Sequence, residues 1–228
     1  MCGRFAAGNF TQAQMAKIVR DVIGEPVSIN TQTADHKMGY HIRPTDQVMV
    51  IDTADSAFEI SSARWQINRT DSPAPIINAK IENNRFWANA WAHNRCIIPA
   101  LGYFEWTKES GRKQPNYISI NSNAEVNFFA GFTGISGGNN RHDQSVAIIT
   151  RPALSQIDHI HHRMPVVLSQ TEIIDWLRYE IDIELAQQTL GTRWDGQFNF
   201  HNVAPLTNAS DSAQVIKEYF PPQRSFDF

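Results

Sequence analysis

Hydrophobic side chains recur at helical spacing in only three parts of the chain. Over residues 10–24 they fall on one face of a helix, with Thr11 and Gln14 forming a capping box at its start. A glycine and then a proline end this pattern. A second capping box, of Ser169 and Glu172, opens another such segment. The pattern predicts helices over residues 10–24, 83–93 and 169–178.

Elsewhere the hydrophobic positions alternate with polar ones, or run together in short segments, as they do in strands. These segments are residues 47–53, 58–67, 95–98, 102–107, 116–120, 126–132 and 145–150. Turn residues around Gly111 and at 121–123 predict hairpins between neighbouring segments. Residues 30–45 and 136–144 have loop composition, but neither resembles a domain linker. We therefore expect one α+β domain over residues 1–228, with a curved, largely antiparallel, barrel-like sheet and flanking helices.

Composition and charge narrow the protein class. Side chains are 42% hydrophobic and 19% charged, and no apolar stretch approaches the ~20 residues that span a bilayer. We expect an intracellular globular monomer without a membrane segment. The net charge of -3 excludes a strongly basic surface, so a nucleic-acid contact must depend on a local patch. Cys2 and Cys96 lack the spacing of a structural zinc site and are predicted to be free thiols.

Cys2 is the most informative residue, because a small residue at position 2 permits removal of Met1. Its α-amine would then have a pKa of about 7.7 to 8.0, against about 10.4 for a lysine, and would be partly neutral near pH 7.5. Such an aminothiol forms an imine with an aldehyde, and its thiol then closes a five-membered thiazolidine. Taken alone, Cys2 is also compatible with a small residue near a frayed terminus.

Glu105 lies in an aromatic segment, residues 102–106. Strand alternation places Tyr103 and Glu105 on one face, with Phe104 and Trp106 on the other. A half-buried carboxyl group beside aromatic rings would have a raised pKa, as suits a general acid or base. An ordinary glutamate facing solvent is the alternative. Asn78 follows two apolar residues, where it could bind a ligand or only organise a turn.

Residues 158–165 place three of the eight histidines within four positions, directly before Arg163. A histidine there could transfer protons near neutral pH. The chain has no second ligand cluster of matching spacing, so we predict no metal site. Arg163 suits bidentate contact with a phosphate, although a surface ion pair is the commoner role of an arginine.

Taken together, four segments resemble the SRAP family, the SOS-response-associated peptidase-like proteins that act on abasic sites in DNA. They are Met-Cys-Gly-Arg-Phe at 1–5, Asn-Ala-Lys-Ile-Glu at 78–82, the strand pair at 95–106 with Gly-Tyr-Phe-Glu-Trp, and Ile-His-His-Arg-Met-Pro at 160–165. The segments occur in family order over residues 1–168, with a weaker match at 201–203. The resemblance implies a curved antiparallel sheet, a positive cleft for single-stranded DNA containing abasic sites, and no cofactor.

The resemblance also implies a role for each matching residue. Cys2, freed of Met1, would form a thiazolidine with the ring-opened sugar aldehyde of an abasic site. Asn78 would orient the sugar, and Glu105 would hold and deprotonate the α-amine. His161 would open the deoxyribose ring and stabilise or reverse the adduct. The expected DNA contacts are Arg4, Lys80, Thr150 and Arg163.

Several positions depart from the family pattern around this centre. His41 and Arg43 occupy positions where the family usually has Asn and Ala, and Lys80 replaces the usual Arg. Leu101 replaces the Asp of Ala-Asp-Gly, and residues 64–69 lack the usual proline- and tryptophan-containing wedge. The reactive centre is thus expected to match the family, while the rim that holds DNA is altered.

Other functions are compatible with the same residues. An N-terminal-nucleophile amidohydrolase would use Cys2 to attack an amide, with its own α-amine as base. Peptidase activity, in its simplest form self-processing that exposes Cys2, is a related alternative. A non-covalent single-strand binding module would instead give salt-reversible complexes and no adduct that survives denaturant.

Overall fold

The computed structural model describes residues 2–32, 35–54, 57–68, 72–82, 84–109, 111–121, 124–135, 144–190 and 197–220. Within these ranges the helices are α1 (Gln12–Ile23), α2 (Asn84–His93), α3 (Gln170–Leu177) and α4 (Ile183–Thr189). The first strands are β1 (Phe5–Ala6), β2 (Val27–Ile29), β3 (Gln47–Ala54), β4 (Ala57–Arg64), β5 (Asn78–Lys80), β6 (Arg95–Ala100) and β7 (Gly102–Glu109). The remaining strands are β8 (Arg112–Asn121), β9 (Asn127–Ile135), β10 (Gln144–Pro152), β11 (Arg163–Pro165), β12 (Val167–Leu168) and β13 (Gln197–Asn202).

The larger sheet closes on itself. Antiparallel pairs join β4 to β3, β3 to β6, β6 to β9 and β9 to β10. The ring is completed by a parallel pairing of β10 with β4, at Ser145 and Arg64. Short strands β2, β5, β11 and β12 extend this ring at its edges. The predicted α+β class and the curved, largely antiparallel, barrel-like sheet are therefore confirmed.

A smaller antiparallel sheet, in the order β1-β7-β8-β13, holds the start of the chain. Phe5 pairs with Tyr103, and the Phe104 N–H donates to the Arg4 carbonyl at 2.9 Å. The β7–β8 hairpin turns at Gly111, which has φ 79° as a tight turn requires. This pairing aligns residues 4–6 with β7, and Cys2 therefore lies close to Glu105.

The hydrophobic core is divided by the sheets. One cluster packs α1, α2 and α3 against one side of the larger sheet, through residues such as Met15, Trp91 and Trp176. A second cluster lies between the two sheets and contains Cys2, Phe5 and Tyr103. Cys2 is thus part of the core between the sheets.

Three predicted helices are present, each within about two residues of its expected bounds. The capping boxes at Thr11 and Ser169 are both formed. The predicted hairpin at 121–123 is wrong, because β8 pairs with β7 and β13 while β9 pairs with β6, β10 and β12. Residues 122–123 and 136–143 lie outside the described residues. No helix in the described part of the chain is long and apolar enough to cross a membrane.

Candidate active site

Cys2 is buried between the two sheets and is held at both its thiol and its backbone. Its Sγ lies 3.8 Å from the Arg4 carbonyl, and its own carbonyl accepts a hydrogen bond from Asn78 Nδ2 at 2.8 Å. Burial raises the pKa of the Cys2 thiol well above its usual range, and the nearby charge of Glu105 raises it further. The resting group is therefore a neutral thiol, which must lose its proton during any reaction.

Asn78 is positioned by strand pairing rather than by a turn. β5 runs parallel to β10, with Asn78 beside Ile148. Because a carbonyl oxygen only accepts, the contact with Cys2 fixes which end of the Asn78 amide is the nitrogen. Its Oδ1 is buried and has no hydrogen-bond partner in the described part of the chain. Asn78 can therefore accept a hydrogen bond from a ligand beside Cys2.

Glu105 is the buried carboxyl group of the site. It lies on β7 with only 5% of its surface exposed, and burial raises its pKa above the usual range. Its Oε1 is 3.9 Å from His161 Nδ1. A carboxyl group whose pKa is shifted toward neutrality can both take and return a proton. Burial and a raised pKa are the properties that an acid or base role would require of Glu105.

His161 lies at the end of a turn in which the Ile157 carbonyl accepts from the His161 N–H. Its Nδ1 is 3.0 Å from the Arg163 N–H and 3.1 Å from the Arg163 carbonyl. These contacts exclude each other, since a neutral Nδ1 accepts from the N–H whereas a protonated Nδ1 donates to the carbonyl. Burial lowers the pKa of His161, which favours the neutral ring. Either protonation state finds a backbone partner without movement of the ring.

The four predicted catalytic residues therefore meet, although they come from β5, β7 and two loop segments. Cys2 contacts Asn78 directly, and Glu105 lies near both the Cys2 thiol and His161. His162 stacks on His161 with ring centroids 4.4 Å apart, but it is exposed. The described residues contain no group of three or more His, Cys, Asp or Glu placed to hold a metal ion.

Arg163 and Thr150 contact each other, and Arg163 is also hydrogen-bonded to His161. The Arg163 guanidinium binds both carboxylate oxygens of Glu82, at 2.8 and 3.0 Å, and the Thr150 carbonyl at 2.6 Å. Thr150 is fully buried, and its hydroxyl donates to the Ala79 carbonyl at 3.3 Å. Both predicted DNA contacts are thus already engaged within the protein. A phosphate would have to displace Glu82 to reach Arg163.

Arg4 and Lys80 are the more accessible of the predicted DNA contacts. Lys80 is exposed at the end of β5. Arg4 Nη1 donates to His41 Nε2 at 2.8 Å, and its guanidinium lies 5.5 Å from the Trp106 ring centroid. His41 Nδ1 then donates to the Ser210 carbonyl at 2.7 Å. His41, a departure from the family pattern, therefore orients Arg4, a role that its position in the sequence did not indicate.

Comparisons with known proteins identify relatives of this chain. A family model described as SOS response associated peptidase (SRAP) matches residues 1–210. The abasic site processing protein YedK of Escherichia coli (strain K12) is 29% identical over 215 residues, which are 90% of this chain and 92% of that protein. The abasic site processing protein YoaM of Bacillus subtilis (strain 168) is 24% identical, covering 95% of this chain and 97% of that protein. A solved structure from Bacteroides thetaiotaomicron shares the fold, with a TM-score of 0.71 at 18% identity over 96% of this chain and 100% of its own.

Proposed function

Because the chain belongs to the SOS response associated peptidase (SRAP) family, we propose that it processes abasic sites in single-stranded DNA by covalent attachment through Cys2. The observation that supports this most directly is the convergence of Asn78, Glu105 and His161 on the buried Cys2. Removal of Met1, which lies outside the described residues, is part of the proposal because it frees the Cys2 α-amine.

The first step opens the sugar ring of the abasic site. A protonated His161 gives its proton to the ring oxygen, while the hydroxyl on C1′ loses a proton, and an aldehyde forms at C1′. The lowered pKa of His161 makes its protonated form a stronger acid than an ordinary imidazolium. Since Nδ1 can alternate between the Arg163 N–H and carbonyl, the ring stays in place while it changes charge.

The second step forms the covalent link. Glu105 accepts a proton from the Cys2 α-ammonium, and the neutral amine adds to C1′. The former aldehyde oxygen leaves as water, which yields an iminium ion. The Cys2 sulfur then adds to the same carbon as the thiol releases its proton, and a thiazolidine ring closes. The overall change is aldehyde plus aminothiol to thiazolidine plus water, with no oxidation or reduction.

Ring closure matters because the iminium ion is the reactive species in strand breakage. A bare iminium acidifies the adjacent C2′ hydrogens and permits β-elimination of the 3′ phosphate. Addition of the sulfur to C1′ removes the iminium and leaves a saturated carbon. The high pKa of the buried Cys2 thiol keeps the sulfur protonated until C1′ lies beside it. The lesion is thereby shielded rather than cleaved.

We propose that four residues bind the DNA strand around the lesion, namely Arg4, Lys80, Thr150 and Arg163. Arg4 and Lys80 would contact phosphates on either side of the lesion, with Arg4 held in position by His41. Arg163 and Thr150 would take part only after the ion pair of Arg163 with Glu82 opens. A short footprint of this kind agrees with the net charge of -3.

The proposal is tested with single-stranded DNA that carries one abasic site, followed by denaturing electrophoresis. We expect a heat-stable adduct from the wild-type protein and none from Cys2→Ala. Cys96→Ala is the matched control, because Cys96 is equally buried in the same core cluster and should leave the adduct yield unchanged. A heat-stable adduct of undiminished yield from Cys2→Ala would refute the assignment. An imine trapped by borohydride would not, since a lysine can supply one.

Peptidase activity would use the same Cys2 thiol as its nucleophile, and the family description names such an activity. It predicts that wild-type protein hydrolyses amide bonds in peptide substrates, and that Cys2→Ala does not. The adduct experiment is independent of this result. Hydrolysis without any DNA adduct would favour the amidohydrolase alternative.

A further inference from the structure

Tyr103 places a hydroxyl group in the core cluster that contains the reactive cysteine, and the two groups interact electrostatically. Its side chain is fully buried, lies on the same face of β7 as Glu105, and packs in the cluster that contains Cys2 and Phe5. Its ring meets that of Phe129 edge to face, with centroids 6.3 Å apart. The neighbouring Phe104 points to the opposite side of the sheet, into a separate cluster. Tyr103 therefore faces the reactive side of β7.

The Tyr103 hydroxyl has no hydrogen-bond partner in the part of the chain that the structure describes. An unpaired buried hydroxyl destabilises a fold, and a phenylalanine would fill the same space without that cost. Among the described residues, the structure thus shows no hydrogen bond through which this hydroxyl would stabilise the fold. The hydroxyl is therefore available to a partner from outside the protein.

The unpaired groups around Cys2 define what such a partner must offer. Asn78 Oδ1, beside the Cys2 carbonyl, is a buried acceptor without a partner among the described residues. The Tyr103 hydroxyl is a donor, and burial raises its pKa well above the usual range, which keeps it protonated. One acceptor and one donor suit an oxygen that changes from carbonyl to hydroxyl during a reaction.

We propose that the Tyr103 hydroxyl donates a hydrogen bond to the oxygen on C1′ of the ring-opened abasic sugar. This inference rests on the proposed function. When the Cys2 amine adds to C1′, that oxygen takes up the electron pair of the carbonyl, gains protons and leaves as water. Tyr103 keeps its own proton throughout and stabilises the charge that develops on the oxygen.

The test is Tyr103→Phe, with Tyr117→Phe as the matched control. Tyr117 is a second buried tyrosine in the same sheet, but it packs in the cluster on the opposite face. Borohydride trapping in single turnover measures imine formation, and heating in denaturant measures the thiazolidine. We expect Tyr103→Phe to slow imine formation about tenfold, the size of one neutral hydrogen bond strengthened in the transition state. Its melting temperature should equal or exceed that of wild type.

The outcomes separate this inference from the proposed function. If wild-type protein gives no adduct, the proposed function fails regardless of any tyrosine variant. If wild type reacts and Tyr103→Phe forms the imine at the same rate, only the role of Tyr103 is overturned. A lower melting temperature for Tyr103→Phe would show a partner within the protein, and that also overturns it. Slowed ring closure with normal imine formation would contradict contact with the C1′ oxygen.

Discussion

Replacing Glu82 with glutamine tests whether Arg163 can hold a phosphate. In the free protein, Glu82 binds the Arg163 guanidinium through both carboxylate oxygens, while half of the Glu82 side chain remains exposed. Glu82→Gln keeps the shape and one accepting oxygen, but it removes the negative charge that a phosphate must displace. We therefore expect DNA affinity to rise, because Arg163 becomes available without first losing a charged partner.

The size of the effect follows from counterion release. One added phosphate contact on a single strand steepens the plot of log affinity against log salt by about 0.7. If the phosphate contact of Arg163 forms only in Glu82→Gln and its contribution vanishes at about 1 M salt, affinity rises about eightfold at 50 mM salt and about threefold at 200 mM. The free energy of unfolding should fall by about 1 kcal/mol, since Glu82 is half exposed and solvent screens the pair. For a chain of this size that lowers the melting temperature by about 2 to 4 °C.

The assay is fluorescence anisotropy of labelled single-stranded DNA whose lesion is a tetrahydrofuran analogue. The analogue has no aldehyde, so the measurement reports non-covalent binding alone. Asp21→Asn is the control for charge, because it removes one carboxylate from an exposed ion pair with Lys17 on α1. An affinity that does not rise in Glu82→Gln would refute the phosphate role of Arg163, because the proposed contact requires the ion pair of Arg163 with Glu82 to open. Arg163 would then serve to hold Thr150 and the end of β10.

Three further results are expected. A fraction shown by intact mass to retain Met1 should give no heat-stable adduct, because its Cys2 nitrogen is an amide; efficient reaction of that fraction would defeat the thiazolidine mechanism. Glu105→Gln should slow crosslinking about 10²- to 10⁴-fold without weakening binding to the tetrahydrofuran analogue. Because burial raises the Glu105 pKa, the wild-type rate should fall as pH drops through that raised value, and a rate independent of pH in this range would contradict its role as base. Lys80→Ala should make the salt slope shallower by about 0.7 but leave the single-turnover rate at saturating DNA unchanged, and a constant slope would exclude a phosphate contact.

The elements of the fold were predictable where the hydrophobic pattern is long enough to have a period. α1 and the strands of the closed ring belong to this group. By contrast, β1 has two residues and no period, so only its pairing with β7 defines it. The error at 121–123 has a related cause, because turn residues predict that a chain reverses but not which strand it then joins. The seven-residue α4 was missed because it is too short for a pronounced hydrophobic pattern, and the final strand β13 was missed although Phe198 and Phe200 alternate there with polar residues.

The candidate site, like the fold, could be predicted only in part from the sequence. The residue types at positions 2, 78, 105 and 161 left alternatives open when taken singly, and the resemblance to the SRAP family implied their roles. The structure brings these residues together. The partners that occupy the rim were not predictable, because they come from distant parts of the chain. Arg163 and Glu82 are separated by 81 positions, and His41 and Ser210 by 169. Only the tertiary fold shows that Arg163 is already paired and that His41 supports Arg4.

The placement of Cys2 between the sheets has a consequence for how long a DNA adduct would last. A lesion bonded to Cys2 would be attached to the buried segment that leads into β1, which is hydrogen-bonded to β7 from Arg4 onward. The linking atoms would then be enclosed by core residues and shielded from proteases while the domain stays folded. Digestion of the adduct would have to wait for the smaller sheet to open. The lifetime of the protein on damaged DNA would therefore be set by its unfolding equilibrium as well as by the chemistry of the thiazolidine.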